Sequence, residues 1–139
     1  PLRPVVHIED VSDAFIAGLL AEPNTVSGRS FNVGILDGNF SVRQIAEAVQ
    51  RSVPGSDLVF TGEHTDSRSY KVSFERIHTE LKHLYKPKWN LEKGGDQLLK
   101  FFKDTNFTET HFTGRSTNRL AQIRHLIDLG TLSSDLRAI

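Results

Sequence analysis

Between Val5 and Leu20 the apolar residues of this chain change their period. Val5, Val6 and Ile8 read as a short extended lead-in. From there Ile8, Val11, Phe15 and Leu19 follow one another at intervals of three and four, with Ile16 and Leu20 beside them. That spacing predicts one face of an amphipathic helix. Glu9, Asp10 and Asp13 put negative charge in its first turns, where the helix dipole favours it, and Pro23 stops it. An extended run feeding directly into a helix restricts the chain to folds that mix the two.

The same alternation continues downstream. Phe31, Val33 and Ile35 alternate within 30–35, which predicts a short strand closed by the Asp37-Gly38 turn. Ser41 and Gln44 form a capping-box pair ahead of a helix with Val42, Ile45 and Val49 on its inner face, ended by Val53-Pro54-Gly55. Leu58-Val59-Phe60 reads as a strand and 63–69 as a polar loop. Ser73 suits an N-cap for a helix carrying Phe74, Ile77, Leu81 and Leu84. Tyr85 to Trp89 reads as a turn with aromatic anchors. Leu91, Leu98, Leu99 and Phe102 predict a further helix, in which Gly94-Gly95 costs about 1 kcal/mol each against alanine and so marks close packing or a late start. Residues 104–114 read as a Thr-rich linker. A last helix is expected over 116–130, with Leu120, Ile123 and Ile127 inward and Gly130 as its C-terminal stop. The expected class is α/β, with helices alternating with short strands. A main portion over 1–104 is followed by a linker and helical tail over 105–139.

Composition narrows the function. The chain has 139 residues, enough for one domain that buries roughly two-thirds of its unfolded surface. Its 17 basic residues balance 17 acidic ones, which argues against nucleic acid and membrane surfaces as partners. The absence of cysteine excludes disulfides, thiolate zinc sites and thiol catalysis. No apolar run approaches the length of a membrane span, and no signal-peptide pattern is present. A cytoplasmic protein is the expectation. The chain also carries no methionine, which fits a processed chain or an excised piece.

Chemistry-bearing residues are few. The planar fork of Arg3 suits the oxygens of a diphosphate. His7 has the titration range of a general base or ligand, although a histidine among apolar residues is more often a satisfied structural group. Asn32 is expected to hold neighbouring backbone through its amide. Arg68 lies in the polar loop before Ser73 and is either a phosphate contact or an exposed loop cation. The closest histidine pair, His78 and His83, is spaced five rather than four, so no metal site is expected. No Gly-x-Gly-x-x-Gly turn, no Tyr-x-x-x-Lys pair and no Gly-x-Ser-x-Gly elbow occurs. No catalytic residue is assigned.

Taken in order, Arg3-Pro4-Val5-Val6-His7-Ile8-Glu9-Asp10, Phe31-Asn32-Val33-Gly34 and the Pro87…Leu91…Gly94 phrase resemble the C-terminal part of the extended short-chain dehydrogenases/reductases, the NAD-dependent nucleotide-sugar epimerases and dehydratases. The resemblance covers most of 1–104, which it makes the substrate-binding portion, and, more loosely, 105–139. It implies a Rossmann-type fold with most of the cofactor-binding half outside these residues. Arg3 falls where the family contacts the substrate diphosphate. His7 and Asp10 match a His-x-x-Asp segment that orders a helix start, and Asn32 matches a structural position. Asp66 matches the Asp of an Arg-x-Gly-Asp pattern. Glu63 stands in that arginine's place, a departure that Arg68 could offset.

The resemblance further implies hydride transfer between a nucleotide sugar and NAD or NADP. That cofactor is held mainly by an N-terminal domain that also carries the Tyr and Lys of the proton chemistry. This chain would supply the nucleotide clamp and lid, bind no cofactor itself and be inactive alone. It would expose apolar surface around Phe31, Val33 and Ile35, and self-associate. The alternative is a small non-enzymatic α/β binding or assembly module.

Overall fold

The computed structural model describes residues 1–61 and 68–139. They form two compact units, Pro1–Gln97 and Leu98–Ile139. Both are mainly helical, and among the described residues the only sheet is two-stranded and antiparallel, β1 (Leu2–Pro4) with β2 (Asn39–Ser41), in the register Leu2↔Ser41, Arg3↔Phe40, Pro4↔Asn39.

In the first unit, α1 (Ile8–Leu20) forms where the periodicity places it. His7 caps it, and Glu9 and Asp10 lie in its first turn. Its orientation differs from the expectation. The face turned inward is Asp10, Ala14 and Ala17, whereas Phe15 is 73% and Leu19 86% exposed, and Ile8, Ile16 and Leu20 are exposed with them. Periodicity identifies residues that share a face. It does not say whether that face turns toward the core. Pro23 opens a single helical turn, α2 (Pro23–Val26), as proline favours the first helical position.

Residues 30–35 are irregular rather than a strand. An alternating run needs a neighbouring strand to become one, and here the local groups are taken by side chains: the Gly34 carbonyl accepts from Tyr85 Oη at 3.2 Å and lies 2.8 Å from His78 Nε2. The turn at Asp37-Gly38 does form, with Gly38 N bonding the Ile35 carbonyl at 3.0 Å. It delivers the chain into β2 and then α3 (Val42–Ser52). The Ser41–Gln44 capping box is complete, at 3.1 Å and 2.8 Å. Ala48 is the buried residue of α3, while Val42 and Val49 are exposed. Leu58–Phe60 is not a strand.

The short α4 (Glu75–Glu80) stops before Leu81 and Leu84, and its N-cap is Phe74 rather than Ser73, whose Oγ accepts from Glu75 N at a long 3.4 Å. The core gathers Ala14, Ala17, Ile77, Leu81 and Tyr85, with Phe31 and Val33 partly buried against it. Leu84, expected inside, is exposed. The helix α5 (Leu91–Asp104) begins early and runs from the first unit into the second.

In the second unit, Phe102 stacks on Phe107 at 4.8 Å across the turn after α5. The segment expected as linker contains α6 (Glu109–Thr113). The last helix, α7 (Arg119–Asp128), starts with Asn118 accepting from Ala121 N. It ends as glycine predicts: Gly130 has φ +68°, its N–H bonds the Ile127 carbonyl, and Thr131 N bonds the Leu126 carbonyl, the paired bonds of a Schellman stop. Leu120 is exposed rather than inward.

Candidate functional site

The first unit presents its chemistry-bearing residues in two groups. One lies along β1. Arg3 Nη1 donates to the Leu2 carbonyl at 2.9 Å and to the carbonyl of Arg68, 65 positions away, at 2.6 Å. The guanidinium lies 5.7 Å from the centre of the Tyr70 ring, a cation–π distance. The backbone reinforces this placement. Leu2 N donates to Ser69 Oγ at 2.9 Å, and Tyr70 N donates to the Leu2 carbonyl at 3.2 Å. The segment 68–70 is therefore fastened alongside β1, and the side chain of Arg3 meets the backbone of Arg68. Its residues are exposed, and Arg3 is half-buried. Guanidinium charge held in a fixed plane beside an aromatic ring can receive a polyanion.

The second group is a joint between α1, the turn before α5, and α5 itself. Asp10 is fully buried. Its two carboxylate oxygens accept from the backbone N–H groups of Lys88 at 2.8 Å and Trp89 at 3.2 Å, so the charge is compensated by oriented amides. His7 Nδ1 accepts from Glu9 N at 3.1 Å, and its Nε2 lies 2.6 Å from Gln97 Oε1. With Nδ1 accepting, Nε2 carries the proton. The imidazole stacks on Trp89 at 3.9 Å, whose indole N–H reaches Glu9 Oε2. All the hydrogen-bonding capacity of His7 is thus engaged in capping and joining.

Lys88 Nζ pairs with Asp13 at 2.9 Å, and that hydrogen bond raises its pKa above the usual lysine value. Burial pushes the Tyr85 hydroxyl up to about 12, with the Asp10 and Asp13 carboxylates adding to the effect.

Asn32 is exposed, and its amide donates to the Ser73 carbonyl at 3.1 Å. Asp66 lies outside the described residues. Among the described residues no cluster of His, Asp and Glu could hold a metal ion. No helix among them is long and apolar enough to cross a membrane.

Sequence reasoning passed over Tyr70 and Asn39, and read Trp89 only as an aromatic anchor of its turn. Tyr70 carried only the generic signal of an aromatic in polar surroundings. Asn39 had no local signal at all, yet its side chain holds both backbone groups of Val72 at 2.8 Å. Beyond these groups, an apolar groove of about 420 Å³ runs between α1 and the 31–33 segment, lined by Phe15, Leu19, Phe31, Val33 and Ile77. Phe31 and Val33 are partly buried there, rather than exposed as expected, whereas Ile8, Phe15, Ile16, Leu19 and Leu20 of α1 are exposed. No protein-family model matches this chain, and no solved structure matches it.

Proposed function

We propose that this chain is the nucleotide-sugar-binding part of an NAD(P)-dependent sugar epimerase or dehydratase, with Arg3 and Arg68 as its diphosphate grip. The observation that carries the reading is the hydrogen bond from Arg3 to the Arg68 carbonyl beside Tyr70. It fastens the backbone of Arg68, the residue that could stand in for the family's missing arginine, to the side chain of Arg3, which the resemblance places at the substrate diphosphate. The exposed apolar face of α1 and its groove add support, since a cofactor-binding domain would cover them.

The glycine-rich turn that receives a dinucleotide pyrophosphate does not occur in this sequence. The residues present do not fit the cofactor, and no hydride step runs through them. Their part is to bind the remote nucleotide and so position the sugar at a nicotinamide held elsewhere.

Calorimetric titration with uridine diphosphate, adenosine diphosphate and the matching nucleosides tests this. Diphosphates should bind and nucleosides should not. Arg3→Ala should weaken binding by about 1.5–3 kcal/mol, the range for hydrogen bonds to charged groups. Equal binding of nucleoside and diphosphate, or unchanged affinity in Arg3→Ala, would reject the grip. Incubated alone with NAD and a nucleotide sugar, the chain should form no reduced cofactor. A non-enzymatic assembly module is the second reading, favoured by the α1 face. It predicts association without any preference for diphosphates.

A further inference from the structure

Pro4 leaves a gap in the edge of β1. It has no N–H to offer a neighbouring segment, so the stretch 68–72, tied to β1 by the Tyr70 N to Leu2 carbonyl bond, cannot continue through an N–H donated from Pro4. The residue opposite Pro4 in the ladder is Asn39. Its side chain does what a strand peptide would do. Nδ2 donates to the Val72 carbonyl and Oδ1 accepts from Val72 N, both at 2.8 Å. A carboxamide is the one short side chain carrying a donor and an acceptor in the same plane, and pairing both with one residue reproduces the exchange seen in a hydrogen-bonded antiparallel pair. Both bonds are partly buried.

We infer that Asn39 is the positioning residue that sets the 68–72 segment, and with it the Arg68 carbonyl and the Tyr70 ring, against Arg3. The inference rests on the diphosphate reading for its consequence in binding, but not for the placement itself. Asn39 touches no ligand in this scheme. It acts through Val72, two residues beyond Tyr70, and removing it takes away both bonds at Val72 from a segment otherwise held by Arg3 at Arg68, by Leu2 at Ser69 and Tyr70, and by Asn32 at Ser73.

Amide hydrogen exchange followed by NMR, together with uridine diphosphate titration, decides the matter on the full 139-residue chain. In Asn39→Ala the amides of Val72 and Tyr70 should exchange at least about tenfold faster, while those of α1 and the Trp89 emission stay as they were. Diphosphate affinity should fall about three- to tenfold, and Arg3→Ala combined with Asn39→Ala should lose little more than Arg3→Ala alone, because both changes disable one grip. Should Asn39→Ala fail to fold, Asn39→Asp carries the test. It keeps an acceptor for Val72 N but sets a carboxylate against the Val72 carbonyl, so Tyr70 should still exchange faster. Unchanged Tyr70 exchange in the folded variant, or strictly additive losses with Arg3→Ala, would overturn the positioning role. A native protein that ignores diphosphate while its Tyr70 amide still responds to Asn39 would instead sink the function proposed above and leave Asn39 in place.

Discussion

Tyr85 shows how one residue ties together what the sequence keeps apart. It was legible as an aromatic anchor of the turn before α5. Its partner was not, because the Gly34 carbonyl that accepts from its hydroxyl lies 51 positions away and no local pattern encodes such a pairing. The hydroxyl titrates at about 12 instead of the usual 10, first because it is buried and then because Asp10 and Asp13 are near. A phenol whose pKa is higher in the folded chain holds its proton longer there. Its contribution is complete below pH 10 and is lost as pH rises toward 12, on the order of 2 kcal/mol in all. Urea unfolding at about pH 9 and about pH 11 should therefore show a steep loss of stability. Tyr85→Phe should start lower by roughly 1 kcal/mol for the missing hydrogen bond and decline less. An identical decline in the variant would remove Tyr85 as the source. Arg3 is a different case. Its chemistry could be read from residue type and resemblance, but its meeting with Arg68 depends on a backbone path that only the fold supplies.

Among the elements, those defined by neighbours in sequence were legible and those defined by a distant partner were not. The Ser41–Gln44 box and the Gly130 stop are contacts between residues a few positions apart, and both are present. The alternation in 30–35 was equally clear, yet among the described residues no strand pairs with it and it stays irregular. The inner face of α3 is set by Ala48, a residue too small to stand out in a hydropathy pattern. The paired glycines of α5 signal close packing or a late start, and the helix does not start late. A side-chain carbon on Gly95 would come 2.9 Å from Ser52 Oγ, whereas on Gly94 it would meet only the His7 ring at 3.8 Å. Gly94→Ala should accordingly raise stability by about 0.5–1 kcal/mol through backbone entropy and helix propensity. Gly95→Ala should gain less or nothing, because Ser52, which bonds Asp96 at 3.1 Å, must rotate away. Thermal melts of the two variants rank them, and a larger gain at Gly95 would contradict the packing.

At the scale of the whole molecule, the small residues of α1 face in and its large apolar ones face out. Ala14 and Ala17 let the helix sit close to Ile77 and Leu81, while Phe15, Leu19 and their neighbours form a surface of the kind that associating proteins bury. Purified as these 139 residues, the protein should self-associate. Phe15→Glu with Leu19→Lys should shift sedimentation toward the monomer while changing the thermal midpoint little, since neither side chain contributes much to the core. A marked loss of folding would mean that the face is internal after all. The sequence announced an apolar stripe but not its direction, because the buried side had only alanines and one aspartate to declare it. The joint at Trp89 has a practical corollary. The chain holds a single indole, sandwiched on an imidazole and bonded to the first turn of α1. Its emission is a local gauge of whether the contact with His7 and Glu9 is made. Ellipticity sums every helix in both units, so the two optical signals need not melt in step, and any lag between them measures how independently the halves of this protein come apart.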